Sequence, residues 1–309
     1  MNPEQKIYCG VDVSKKDLDA FMGGKTIRFT NTVKGICSLM KQAGDVHYVF
    51  ESTGGYERPA AWHLLAQGRT VSIVNPGRVR EYANSIGQIA KTDRIDAQVI
   101  TRFAELVHPR KTELPSADHR KLTVLVERRQ QLMDMLIAEG NRLETAGEPE
   151  LLKMIQKHRQ WLQKQILQLE QSIESTISGN AEMKQKAARI KSIKGLGNVS
   201  AATLLAVLPE IGTLSRKEVA ALAGVAPYNR DSGTFRGQRH ICGGRKRLRA
   251  TLYMAAVCAS HSNAHLAEFY NRLVNENHRP KKVALTAVMR KILIAANSAV
   301  KNPEFLIAA

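Results

Sequence analysis

Aromatic side chains are scarce in this chain, with Phe, Trp and Tyr together making up 5% of 309 residues. Stacking on many exposed bases is therefore not expected to be its main mode of binding. Cysteine is sparse as well. Cys9, Cys37, Cys242 and Cys258 show no paired spacing, so they read as reduced thiols of a cytosolic protein rather than as a disulfide framework. No hydrophobic run approaches the length that crosses a bilayer, and Met-Asn-Pro-Glu-Gln-Lys at the start lacks the apolar core of a signal peptide. Acids are outnumbered, 28 Asp and Glu against 46 Lys and Arg, for a formal net charge of +18. That imbalance points to a polyanionic partner, with nucleic acid ahead of a membrane surface. A chain of this length can bury a sizeable core and is expected to hold two domains plus a connector.

What acids there are occupy telling places. Ile7 to Val13 reads as a strand that carries Asp12, and Ser14 to Asp17 as the turn that ends it. Lys25 to Thr30 reads as a strand, Lys34 to Gly44 as an amphipathic helix closed by glycine, and Val46 to Phe50 as an apolar strand running into Glu51. Tyr56 to Gln67 then reads as helix and Val71 to Asn75 as strand, an alternation that argues an α/β layer. The pattern over Val79 to Ala90 and again Val99 to Val107 is helical, which puts Asp93 and Asp96 on one helix face. Singly, these acids read as a turn cap, an ion-pair partner of Arg58 and a solvated face. As a set of four they can converge at one sheet edge, where like charges need a cation between them. Oxygen ligands without His or Cys suit magnesium or manganese rather than zinc.

Gly-Val-Asp-Val-Ser-Lys at 10–15, Glu-Ser-Thr-Gly-Gly-Tyr at 51–56 and Lys-Thr-Asp-Arg-Ile-Asp-Ala at 91–97 resemble the signature blocks of the insertion sequence 110 family of transposases, which includes Piv-type DNA invertases. The resemblance implies an RNase H-type, RuvC-like N-terminal domain whose acidic tetrad, here Asp12, Glu51, Asp93 and Asp96, binds Mg2+ (or Mn2+). It also implies a catalytic serine in a C-terminal block. Pro227, Ser232-Gly233, Arg236-Gly237 and Leu248-Arg249-Ala250-Thr251-Leu252-Tyr253 match that block, so the serine falls on Ser232. Taken alone, Asp-Ser-Gly reads as a turn or helix cap. One departure stands out: many relatives carry Ser-Lys-x-Gly where this chain has Cys242-Gly243-Gly244-Arg245, and Arg245 or Lys246 is the candidate to supply the missing charge.

Between these blocks, from about Ala117 to Ala188, the composition turns to Gln, Lys, Arg, Glu and Leu. Leu162, Ile166, Leu169 and Ile173 follow coiled-coil spacing, and Thr145 to Pro149 reads as a break between two helices. An intramolecular hairpin and a dimerising coiled coil both fit; intermolecular pairing is the expectation. Ile193-Lys194-Gly195-Leu196-Gly197-Asn198, followed by an apolar helix, resembles a helix-hairpin-helix whose turn at Gly195 and Gly197 can hold a phosphate. The glycine-punctuated basic stretch from Arg230 to Arg249 describes a loop able to approach a phosphate chain closely. Expected nucleic-acid contacts are Lys15, Lys91 and Arg94 in the first blocks, Gly195 and Gly197, then Arg230, Arg236, Arg239, Arg245, Lys246, Arg247 and Arg249.

The expected architecture is an α/β RuvC-like catalytic domain over 1–112, a helical coiled-coil connector over 113–189, and a mainly α transposase domain over 190–309. The expected function is that of a DNA transposase or site-specific recombinase, cytoplasmic and nucleoid-associated, that cleaves and rejoins double-stranded DNA. The resemblance further implies a noncoding guide RNA and a homo-oligomer, dimer or tetramer, with the tetrad and the serine drawn from one subunit or from two. The main alternative is a Holliday-junction resolvase-like nuclease that uses water in place of serine. A nucleic-acid-binding scaffold is a third reading. A sugar-kinase-like ATPase is disfavoured, because no second glycine-rich phosphate loop is present.

Overall fold

The computed structural model describes residues 7–88, 93–229, 231–237, 239–302 and 304. Lys91 and Arg230, two of the expected nucleic-acid contacts, lie outside the described residues, as do the side chains of Asp93 and Arg94. The chain divides into two compact units, residues 1–115 and 116–309.

The first unit is built on a five-stranded sheet. Strand β1 (Tyr8–Val13) pairs antiparallel with β2 (Asp17–Met22), and β2 pairs antiparallel with β3 (Lys25–Thr30). Strand β2 departs from the sequence reading, which ended the element in a turn at Asp17. The turn covers only Ser14 to Lys16, and Ser14 Oγ caps it by accepting from the Asp17 amide at 2.9 Å. Gly23 (φ 54°) and Gly24 (φ 77°) close the β2–β3 hairpin in the left-handed conformation that a two-residue turn between twisted strands demands. After α1 (Val33–Ala43), capped by Thr32, the chain returns as β4 (His47–Glu51), parallel to β1. Helix α2 (Arg58–Ala66) then leads to β5 (Val71–Val74), parallel to β4, for an order of β3-β2-β1-β4-β5.

Alternation along β1 assigns its faces. Cys9, Val11 and Val13 join Leu18 and Ala20 of β2 under α1 and α2. Tyr8 faces the other way, with Val49 and Val74, under α3 (Pro76–Ser85) and α4 (Asp93–Val107). Helix α3 begins three residues earlier than the periodicity indicated, because Asn75 caps it through Gly77 N at 2.7 Å, and it ends before Gly87 (φ 74°). Asp93 therefore opens a fresh helix instead of sitting within a long one.

Helix α4 lies on β1 because residue 10 is glycine. A Cβ there would come within 2.5 Å of the Ala97 carbonyl oxygen and of the Thr101 amide, both backbone atoms that cannot swing aside. In its absence the Gly10 amide donates to Thr101 Oγ1 at 2.8 Å, and Thr101 is buried. We expect Gly10→Ala to cost roughly 1–3 kcal/mol of stability, as overpacking does, and to displace the first turn of α4. Chemical denaturation of the variant measures the first effect. An unchanged midpoint would contradict the close approach.

The second unit is helical. Helices α5 (Ala117–Thr145) and α6 (Pro149–Ser178) form an antiparallel hairpin, broken where Pro149 starts α6 at a position that needs no amide donor. Leu132 packs on Leu162 and Ile166, Arg129 pairs with Glu170 at 2.6 Å, and Glu139 meets His158 at 3.1 Å. The seam read as coiled coil is thus used, at Leu162 and Ile166, within the chain. Leu122, Val126 and Ile173 at the other end of the hairpin enter the main core. That core gathers α7 (Ala181–Lys191), α8 (Asn198–Val207), α9 (Arg216–Leu222), α10 (Lys246–Ser262) and α12 (Lys281–Lys301). Among the described residues four two-residue strands, β6 (Pro227–Tyr228), β7 (Asp231–Ser232), β8 (Phe235–Arg236) and β9 (His240–Ile241), lie between α9 and α10. Helix α11 (Ala264–Asn271) and a π-helical turn (Arg272–Glu276) precede α12.

Helix α12 corrects one expectation. By length and composition it is apolar enough to cross a membrane, although no run of that kind was read in the sequence. Leu285, Val288, Met289, Ile292 and Leu293 are among its buried residues, so its apolar character serves the core.

Candidate active site

In the first unit the strand register sets the acids. Val11 of β1 lies opposite Phe50 of β4, and the next step along each strand is Asp12 and Glu51. Both follow residues whose side chains are wholly buried, and both are themselves half-buried at the C-terminal ends of parallel strands. Asp12 belongs to the Gly10 face by alternation, and that face is the one α4 covers. Asp96 stands in the first turn of α4, directly before the Ala97 whose carbonyl overlies Gly10. Two strand ends and one helix start thus carry Asp12, Glu51 and Asp96 to the same end of the sheet, and the backbone of Asp93 opens that helix. A helix N-terminus presents its positive pole to carboxylates.

Asp19 adds a neighbour that the sequence reading missed. It is the register partner of Asp12 on β2, is 5% exposed, and is held by a two-pronged contact from Arg28 of β3, with both N–O distances 2.9 Å. A second buried carboxylate beside Asp12 is tolerable because that guanidinium offsets it. Among the described residues no group of three or more His, Cys, Asp or Glu side chains is placed to hold a metal ion, and the Asp93 side chain lies outside them. The donors that the site does offer are all carboxylate oxygens, which fit a hard divalent ion. Lys15 is exposed in the turn that follows β1, three residues from Asp12.

In the second unit Ser232 is exposed near the tip of a ribbon, where β7 pairs with β8 around Gly233 (φ 55°), while β6 pairs with β9 below. The stretch read as a loop is therefore a short two-tier hairpin. Its base is welded to the helical core. A Cβ on Gly244 (φ 70°) would lie 2.1 Å from the Gly224 amide, and the Arg245 amide donates to the Leu222 carbonyl at 2.8 Å. Only glycine at 244 allows this backbone contact, whereas a Cβ at Gly243, where relatives carry the lysine, would meet nothing within 4 Å, so packing does not explain that departure.

The basic residues divide into two groups. Arg245 grips Glu210 with both prongs, at 2.8 and 2.7 Å, and the Val207 carbonyl at 2.7 Å. Arg249 donates to the Gly243 carbonyl at 2.6 Å, and Arg247 lies 3.4 Å from Glu127. Arg236, Arg239 and Lys246 are exposed, so these three offer charge to solvent around the ribbon. At the α7–α8 turn Gly195 (φ 106°) is packed so closely on α10 that a Cβ would reach within 2.6 Å of Ala259 Cβ. Gly197 caps α8 in open space with no side-chain cap, leaving the first amides of the helix uncovered by one.

A family model described as a transposase of the DEDD, IS110 type matches residues 9–146, which span the acid-bearing unit. A second, described as the IS116/IS110/IS902 transposase family, matches residues 187–271, which include the ribbon. The chain belongs to the IS110 family of transposases. Members of this family catalyse DNA strand cleavage and rejoining, so the transposase is an enzyme acting on DNA. It is 29% identical to the pilin gene-inverting protein of Moraxella lacunata and 28% identical to that of Moraxella bovis, in each case over 96% of both chains.

Sequence reasoning also missed Glu57 and Thr101 in the transposase. Glu57, 3% exposed, accepts hydrogen bonds from the segment that follows Glu51, and Thr101 joins α4 to Gly10. The Glu-Arg-Pro run at 57–59 gave a weak hint of the first, since an acid before a proline-led helix reads as a cap. Nothing local distinguishes Thr101 from any helical threonine.

Proposed function

We propose that this transposase cleaves and rejoins double-stranded DNA with two sets of groups. Asp12, Glu51, Asp93 and Asp96 hold a divalent metal, Mg2+ or Mn2+, and the Ser232 hydroxyl is the nucleophile. The observation that carries the reading is the convergence of Asp12, Glu51 and the first turn of α4 at one end of the sheet. The strand order β3-β2-β1-β4-β5, with three antiparallel strands and then two parallel ones, supports an RNase H-like, RuvC-like identity for that unit. A metal bound there supplies charge stabilisation for a phosphodiester in transfer. The residues of the chain do the rest. Ser232 Oγ forms a bond to phosphorus while a deoxyribose oxygen leaves; the hydroxyl proton passes to a base and the leaving oxygen takes one up. Attack by a DNA hydroxyl on that phosphoserine ester reverses the sequence and joins strands. Exposed Arg236, Arg239 and Lys246 hold the phosphate chain beside the ribbon.

The strongly basic balance of the chain also supports a noncoding guide RNA as partner. Exposed Met135, Ile137, Met154, Trp161 and Leu167 on the α5–α6 hairpin support self-association as a dimer or tetramer through paired helices. The test is a nicked DNA substrate that traps the joined intermediate, incubated with the full chain and Mg2+. We expect a protein–DNA adduct that EDTA abolishes and whose proteolytic peptide carries nucleotide on Ser232. Cleaved DNA free of protein would instead favour the resolvase-like nuclease.

A further inference from the structure

Glu51 ends its strand, and the chain that leaves it contains two left-handed glycines, Gly54 (φ 72°) and Gly55 (φ 109°). On its N-terminal side the sheet holds this acid. On the other side a segment so free to rotate needs a tie. The tie is Glu57. Its Oε2 accepts from the Gly55 amide at 2.8 Å, from the Thr53 amide at 3.1 Å and from Thr53 Oγ1 at 3.4 Å, while Oε1 accepts from Ser52 Oγ at 3.4 Å. The carboxylate thus fills a nest of backbone amides made by the turn that it closes. Asn31 extends the tie toward the other strand end. Its Nδ2 donates to the Tyr56 carbonyl at 3.2 Å and to the Ser14 carbonyl at 3.1 Å, two residues beyond Asp12.

We propose that Glu57 is a positioning residue for the carboxylate end of the sheet. It locks the 52–56 turn so that Glu51 keeps one direction relative to Asp12, and it adds a buried negative charge, held by uncharged donors, that draws a divalent cation in. This inference rests on the reading of Asp12 and Glu51 as metal ligands. Groups that orient a ligand in this way contribute roughly 10- to 100-fold to metal affinity.

The experiment is calorimetric titration of the metal-free full chain with Mn2+ alone, with a melting curve of each variant before metal is added. Glu57→Gln keeps the shape, removes the charge and points an N–H donor at the turn's own donors. We expect it to weaken Mn2+ binding by roughly 10- to 100-fold. Thr53→Val removes one hydroxyl donor at constant shape, and a smaller loss in the same direction is expected. Should Glu57→Gln fail to fold, Thr53→Val carries the test through its Mn2+ affinity. Unchanged affinity in a folded Glu57→Gln protein, or in Thr53→Val where only that variant folds, overturns the proposal, whatever happens to the melting temperature. Glu51→Gln separates the two levels. If it binds Mn2+ as the parent does, the metal reading itself falls and this inference with it. If it loses Mn2+ while Glu57→Gln does not, the positioning role alone is wrong.

Discussion

Asp12→Asn is expected to slow DNA strand cleavage by about 10³- to 10⁴-fold, the scale of losing a charged member of a catalytic set. The substitution is isosteric, so the packing of β1 under α4 through Gly10 survives it. What is lost is one of two carboxylates that the strand register sets side by side at the sheet end. An amide oxygen is a neutral and weaker ligand for a hard cation, and its nitrogen turns a donor toward the metal. DNA affinity should stay within a few-fold, since the proposed phosphate contacts are cations elsewhere in the chain. Single-turnover cleavage measured beside a filter-binding titration checks both halves. Cleavage within tenfold of the parent would remove Asp12 from the reaction.

Ser232→Ala is the second large effect, with at least a 10³-fold loss of cleavage expected, on the order found when a nucleophile is deleted. The structure makes this substitution clean to interpret. Ser232 is exposed on the ribbon, so removing its hydroxyl should change stability by less than about 0.5 kcal/mol. The pair of variants therefore divides the readings in one gel. A nuclease that uses water retains cleavage when the hydroxyl goes and loses it when Asp12 goes. A recombinase that forms a serine ester loses cleavage both times. A scaffold without chemistry shows no cleavage in the parent either.

How much of this could be read before the fold was known follows from the range of each signal. Strands β1, β4 and β5 are short apolar runs bounded by turn residues, and Asp12 and Glu51 stand out because they interrupt or end such runs. Strand β2 escaped because Asp17 and Asp19 make Asp-Leu-Asp-Ala-Phe-Met look like the continuation of a turn. Its two acids make sense only once Asp19 is seen buried against Arg28, a partner nine residues away. Gly10 illustrates the same limit from the other side. The sequence shows a glycine in a strand, which reads as weakness, whereas the structure shows the one residue that lets α4 settle on β1. Glu57 and Arg245 carry charges whose purpose is internal, and a sequence cannot tell a cation that faces solvent from one closed on Glu210. The C-terminal serine was legible only through the resemblance, since its tripeptide has many structural uses.

Helix α12 follows every other element of the second unit, yet it supplies ten of that unit's buried positions. While the chain is being synthesised, α7, α9 and α10 are complete before the helix they pack against exists. A product cut short ahead of Lys281 would carry each proposed active-site residue and still leave that greasy trough open to water, a ready target for proteases and for clumping. The activity of this enzyme is thereby made conditional on reading the frame through to a helix that takes no part in the proposed chemistry.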